Sequence, residues 1–508
     1  MKRLLCLVSM LTVAVVLALP GGFGHPSMAA EPAGRWAPVQ RVSGYASDSD
    51  TPYLVADQNR TVHAFSSQLF QGSRVAVGYA RWTLAGGWSN PVDVLLSPGG
   101  GEARVSGAYL DPSGMMHVIF FGKDDRSFSI YHSQAPAAAA DRAPSWSRPV
   151  VAAEAVGLLF QAALAADDQG NLFVVYSGGR EGPGLYSVHS PDWGASWAKP
   201  VLVFATPEAV AQVAYVQAQA DSQARLHVVW SVVDDSGRGR GIYYARLEGD
   251  HQTWSSPKLL AARIDYSAEH PTLVEHNGEL FVVFLNGSPP KRWMQRSSDG
   301  GHSWSGSVPI VDGWIGGNGP AWLANDSSGV LHMFFGNRIP PEPGSDIWEI
   351  HGMWHSVWLG DEWSRPEAVI SGPTTAAEGG VFDPWTPRAV ASQGDVMLLV
   401  WKTDPGTGGN GIWYSYKRLD APELPVVALP TPLTAATPTP NGTARIEAAS
   451  FSAPTMTPRP SHNPAIRSGS SARAAVSDPT VGWLLSVLPV LLLVSAVVGV
   501  KTVTSRRH

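Results

Sequence analysis

Seven times along the chain, a polar and usually glycine-bearing turn feeds a short run of Val, Phe, Leu and Trp. The segments are DQNRTVHAF, DPSGMMHVIFF, DDQGNLFVVY, DSQARLHVVW, EHNGELFVVF, NDSSGVLHMFF and SQGDVMLLVW. Aligned, they place His63, His117, Phe173, His227, Phe281, His332 and Leu398 in one column, at intervals of 54, 56, 54, 54, 51 and 66 residues. Short apolar runs behind turn residues predict strands. A second column of aromatic runs follows (VGYARW, IYHS, LYSVHS, IYYARL, WMQRS, MWHS, IWYSY) and reads as a further strand in each repeat. A third column pairs a tryptophan with a proline: Trp88 with Pro91, Trp146 with Pro149, Trp197 with Pro200, Trp254 with Pro257, Trp304 with Pro309, and Trp363 with Pro366. The seventh copy is missing after the last repeat and stands instead at the start, as Trp36-Ala37-Pro38-Val39.

Repeats of about fifty residues, each too small to bury its own apolar faces, predict an all-β, seven-bladed β-propeller of four-stranded blades over residues 34–420. The displaced N-terminal copy is expected to supply the outer strand of the last blade, beside the strand around Trp413. A six-bladed alternative requires one repeat to lie outside the ring.

The ends of the chain follow other patterns. Residues 1–30 combine Lys2 and Arg3 with an apolar run from Leu4 to Leu19 and read as a signal peptide. Residues 421–480 form a Pro/Thr/Ser-rich linker, a composition that buries too little apolar surface to order itself. Residues 481–500 are uncharged and long enough to predict a single transmembrane helix, with 501–508 as a short basic cytoplasmic tail. On this reading the propeller is extracytoplasmic, held at the cell membrane and monomeric.

Composition adds exclusions. A net charge of −6 and a pI near 6.2 offer no basic surface for nucleic acid. The single cysteine, Cys6, lies in the signal-like run. No His-Glu-x-x-His, paired cysteine or Gly-x-Ser-x-Gly occurs, so zinc-protease and α/β-hydrolase chemistry have no foothold. The histidine column recurs at repeat spacing, which predicts side chains packed or hydrogen-bonded within each blade. No metal or cofactor is implied.

One octapeptide occurs twice in full. SPDWGASW (190–197) and SSDGGHSW (297–304) share Ser-x-Asp-x-Gly-x-Ser-Trp, and TLAGGW, GDHQTW and LGDEW are degraded versions. Ser190 and Asp192, or Ser297 and Asp299, can hydrogen-bond the turn's own backbone. Gly194 and Gly301 permit a positive φ, while Trp197 and Trp304 can pack between sheets. The octapeptide resembles the bacterial neuraminidase repeat, or Asp-box, of sialidase-like β-propellers. That resemblance implies a scaffold turn on the face away from the ligand.

The opposite face is expected to carry the chemistry. Its candidates are Asp48, Asp50, Glu102, Arg104, Lys123, Arg180, Glu181, Arg238, Arg240, Glu269, His270, Trp314, Asn318, Arg338, Asp383, Trp385, Arg388 and Lys402. Insertions 336–349 and 371–387 add Trp348 and Trp385 as platforms for sugar rings. Arginines mixed with acids and tryptophans suit an anionic or hydroxylated ligand. The sialidase resemblance further implies an arginine cluster for a sugar carboxylate, with a tyrosine nucleophile, a glutamate base and an aspartate acid. Arg104, Arg180 and Arg338 or Arg388 are the arginines available for it, and Asp50 the acid. Arg338-Ile339-Pro340 matches the family's Arg-Ile-Pro, but it comes after Asn337 and beyond both full Asp-boxes, a placement that fits coincidence. No Tyr/Glu pair is recognisable. The reading is a glycan-recognising cell-surface propeller, with an active sialidase, other glycosidase or lyase as one alternative and a protein-interaction propeller of the envelope as another.

Overall fold

An aspartate opens the turn before most of the apolar strands, and its two carboxylate oxygens do different jobs. Oδ1 of Asp221 accepts the backbone N–H groups of Gln223 and Arg225, at 2.9 and 2.8 Å, which winds the turn. Oδ2 lies 2.9 Å from Nε2 of His227, whose Nδ1 lies 2.8 Å from the Tyr244 hydroxyl on the next strand. The same relay runs Asp57–His63–Tyr79, Asp111–His117–His132 and Asp326–His332–His355. The four column histidines are therefore internal struts of their own repeats, as their spacing predicts.

These struts give stability a pH dependence. Burial and the neighbouring His355 push His332 down to about 4, and burial and His117 push His132 down to about 3. The unfolded chain takes up these protons near pH 6.5, so between that value and about 4 it binds more protons than the folded chain. Stability is expected to be full above about pH 6.5 and to fall as the pH drops towards 4. Melting temperatures at stepped pH check this. His332→Phe, which copies Phe173 and Phe281 of the same column, should flatten the slope; an unchanged slope would remove His332 as a cause.

The computed structural model describes residues 34–429, apart from 46–48, 71–73, 124–127, 155–160, 168, 179–181, 207–210, 250, 252, 312, 340–348, 375–382 and 404–410. The described strands are all-β and antiparallel within each repeat, with two single-turn 3-10 helices, Ala137–Ala139 and Ala143–Ser145, as the only helical elements. Hydrogen bonding gathers them into six sheets. Five hold one repeat each. The sixth has eight strands, because Arg240 of strand Gly239–Leu247 bridges in parallel to Ala268 of strand Ala268–His276.

The expectation of a seven-bladed propeller, or a six-bladed one, with an appended membrane helix is thereby corrected. There are not seven separate sheets, and no sheet closes on itself. The reason is local: a side chain at Gly239 would stand 1.8 Å from the Ala268 carbonyl, so glycine alone lets two repeats join backbones. Among the described residues no helix is long and apolar enough to cross a membrane. Residues 1–30, the linker beyond 429, residues 481–500 and the tail lie outside the described residues.

The N-terminal segment does add a strand to the sheet of the last repeat, with Gln40 opposite Tyr414 and Arg41 opposite Trp413. Trp36 explains why. Each tryptophan of the column packs on the preceding sheet: Trp88 on Tyr414, Trp146 on Phe65, Trp197 on His132 and Trp304 on Tyr244. Trp36 meets Phe334 and His355 in the same manner, and its Nε1 donates to Glu367 at 2.9 Å. The core thus lies between neighbouring sheets, where Phe65, Val118 and Phe120 meet in one layer and Val283, Met333 and Phe335 in another.

Both full Asp-boxes are scaffold turns. Ser190 Oγ donates to Asp192 Oδ1 (2.9 Å) and accepts Gly194 N–H (2.7 Å), while Asp192 accepts Ser196 N–H (2.8 Å). Ser297, Asp299, Gly301 and Ser303 repeat the pattern. Gly194 and Gly301 both stand at φ +85, pressed against His132 and Tyr244 of the preceding repeat.

Candidate functional site

The Asp turns and Asp-boxes occupy one end of the strands. At the other end, near the start of the first strands, four successive repeats carry a β-bulge. Register slips between Ala214 and Gln217, Glu269 and Thr272, Asn318 and Ala321, and Trp385 and Arg388. At these bulges Tyr215, His270, Gly319 and Thr386 take φ values of 55, 56, 64 and 46. Three of the four are not glycine and therefore hold a strained backbone, a feature that concentrates where side chains must be re-aimed.

The bulges bring Tyr215 and His270 ring to ring, with centroids 4.0 Å apart. Arg292, on strand Lys291–Ser297, is only 6% exposed and its charge acts on His270. Its Nη2 donates to the carbonyls of Gly319 (3.0 Å) and Gly336 (2.8 Å). Its Nε and Nη1 meet no hydrogen-bond partner among the described residues, and no carboxylate pairs with it there. Burial lowers Arg292 to about 9. Burial and the Arg292 charge lower His270 to about 3, so at neutral pH its imidazole is uncharged. Burial and the Glu269 charge push Tyr215 up to about 12, which keeps its hydroxyl protonated. Burial also raises Glu269, against the hydrogen bond from Ser267.

A second group lies along the next first strands. Asp50 Oδ1 is 3.2 Å from Lys402 Nζ, and its Oδ2 is 3.6 Å from Arg104 Nη1. Arg104 Nε donates to Glu102 at 2.8 Å. Lys402 also stands 5.3 Å from the centre of the Trp385 ring. Trp385 is pressed against Gly319, where a side chain would come within 1.9 Å of its Nε1.

The other candidates separate from these two groups. Asp383 is buried and held by Arg338, by His351 Nδ1 at 3.0 Å and by Asn318 Nδ2 at 2.9 Å. Burial alone would raise Asp383; His351 and Arg338 outweigh it and hold the carboxyl below its ordinary value. Arg388 lies 3.3 Å over the Tyr53 ring and donates to the Thr51 carbonyl at 2.7 Å, so it serves the junction of strands Tyr53–Ala56 and Pro384–Ser392. Trp314 packs edge-on to Trp354 in the core. Lys123 and Arg238 lie over Phe128 and Tyr266. Asp48, Arg180, Glu181 and Trp348 lie outside the described residues.

Sequence reasoning reaches Glu269, His270 and Asn318 but misses Tyr215 and Arg292. A signal for three of the four bulges exists: His270-Pro271, Gly319-Pro320 and Thr386-Pro387, whose prolines stand ten to twelve residues before the strand-two column. Tyr215 precedes valine instead, and Arg292 sits on a third strand that reads as scaffold. Among the described residues no cluster of histidines, cysteines and acids could hold a metal.

No family model matches the chain, and no curated protein is similar to it. Solved structures are. An ulvan lyase of a polysaccharide lyase family, bound to -[GlcA(1-4)Rha3S]-, has a TM-score of 0.51 at 13% identity, over 74% of this chain and 95% of that one. The intramolecular trans-sialidase from Ruminococcus gnavus has a TM-score of 0.41 at 13% identity, over 76% of this chain and 97% of that one. NanB sialidase from Streptococcus pneumoniae has a TM-score of 0.39 at 12% identity, over 77% and 70%. At 13% identity the likeness to the ulvan lyase is one of fold alone.

Proposed function

We propose that the bulge site binds an acidic polysaccharide and cleaves it by β-elimination. Arg292 carries this reading: a buried guanidinium with two nitrogens unpaired and no carboxylate partner among the described residues calls for an anionic group from the ligand. With the sugar carboxylate on Arg292, the carbon beside it becomes acidic enough to lose a proton. Neutral His270 takes that proton, and the C–H electron pair forms the new C=C bond. The bond from the adjacent carbon to the glycosidic oxygen breaks, and the Tyr215 hydroxyl protonates the departing oxygen. One product carries an unsaturated sugar acid, the other a free hydroxyl. Proton exchange with solvent restores the histidine and the tyrosine. A polysaccharide lyase of this fold bound to a chain containing GlcA supports the choice of substrate class.

The test is ultraviolet absorbance of the new double bond when the full chain meets uronate polysaccharides. Tyr215→Phe is expected to lower kcat at least about 100-fold with KM little changed. The closeness of Glu269 to Tyr215 favours a second reading, hydrolysis with tyrosine as nucleophile. Release of a sugar without absorbance would select it. Binding without either product would leave recognition alone.

A further inference from the structure

We infer that a second sugar subsite adjoins Arg292, built on Trp385, Asp50 and Arg104, and that it takes an uncharged sugar. This rests on the acidic-glycan reading of the bulge site. The two subsites share one residue. Arg292 donates to the carbonyl of Gly319, and the indole of Trp385 lies against that same glycine. Any side chain at residue 319 would collide with the indole. The contacts then continue outward from Trp385 to Lys402, from Lys402 to Asp50, and from Asp50 to Arg104.

The two halves differ in charge. Among the described residues Arg292 lacks a counter-ion, whereas Lys402 and Arg104 are balanced by Asp50 and Glu102. A further anion would have to displace one of those carboxylates. Asp50 and Arg104 keep 42% and 40% of their side chains exposed, enough to accept from and donate to sugar hydroxyls. Trp385 is half-buried and offers ring surface beside them. A flat apolar ring flanked by a paired carboxylate and guanidinium suits a hydroxylated sugar, since each hydroxyl both donates and accepts. The ligand implied is an oligosaccharide in which an acidic unit neighbours a neutral one.

The experiment measures binding of a glucuronate monosaccharide and of a disaccharide of glucuronate and a neutral sugar by the full chain, calorimetrically, for the parent, Trp385→Ala and Asp50→Asn. The parent should bind the disaccharide at least about tenfold more tightly than the monosaccharide. Trp385→Ala and Asp50→Asn should remove that gain and leave monosaccharide binding unchanged. Equal loss for both ligands in both variants, or a gain that survives both substitutions, overturns the second subsite. Absence of parent binding to either ligand overturns the acidic-glycan reading itself. Asp50→Asn changes no packing volume, so it keeps the test sound should Trp385→Ala fail to fold.

Discussion

Arg292→Met is expected to abolish acidic-glycan binding while leaving the fold intact. Removing a desolvated charge from a charge-paired contact costs about 2–5 kcal/mol of binding, roughly 30-fold to several-thousand-fold in affinity. Two opposing terms hold the stability change small. The carbonyls of Gly319 and Gly336 lose a donor, at about 1–3 kcal/mol each when buried and unsatisfied. Against this, the protein no longer carries a buried cation without a counter-ion, and replacing such a group by an apolar chain of similar length is often neutral or stabilising. Methionine also keeps contact with Phe335, whose ring the guanidinium now covers at 5.2 Å. A melting temperature within a few degrees of the parent, together with lost binding in calorimetry, is the expected pair of results. Unchanged affinity for a uronate oligosaccharide would remove Arg292 from the site.

The largest effect on stability is expected from Gly301→Ala in the second Asp-box. At φ +85 an L-residue pays about 1–2 kcal/mol in the backbone alone. The added methyl would stand 1.7 Å from the Tyr244 hydroxyl, so that ring must move. Its hydroxyl then leaves His227, and a buried histidine nitrogen loses its partner, for about 1–3 kcal/mol more. The total is about 2–5 kcal/mol, a large part of the stability of a typical domain. Gly306→Ala in the same connection meets nothing within 4 Å and is expected to cost under about 0.5 kcal/mol. Urea melts of both variants give the comparison. Equal midpoints would show that the Asp-box does not clamp neighbouring repeats.

The contrast between these residues shows what a sequence makes legible. Gly301 belongs to a pattern that acts through its own backbone: serine, aspartate and glycine a few residues apart are enough to define the turn. The Asp–His struts are similar, because turn and strand partners lie six residues apart. Arg292 belongs to no such pattern. Its partners come from residues 318, 319 and 336, and its neighbour His270 from another strand, so neighbours in sequence do not reveal it. Tyr215 is hidden differently. A bulge shifts register by one residue, and in a period-two strand that exchanges an inward position for an outward one.

The sequence by itself determined an all-β chain of like repeats, the Asp-box turns, the internal placing of the histidine column and the strand that the N-terminus lends to the last repeat. Each of these rests on contacts local in sequence or repeated in every unit. Only the tertiary structure decided that two repeats share one sheet at Gly239, that Arg338 and Arg388 are committed to Asp383 and Tyr53, and that Tyr215, His270 and Arg292 meet. Those outcomes depend on how closely separate backbones approach and on which charge is left without a partner. A one-dimensional pattern carries neither quantity.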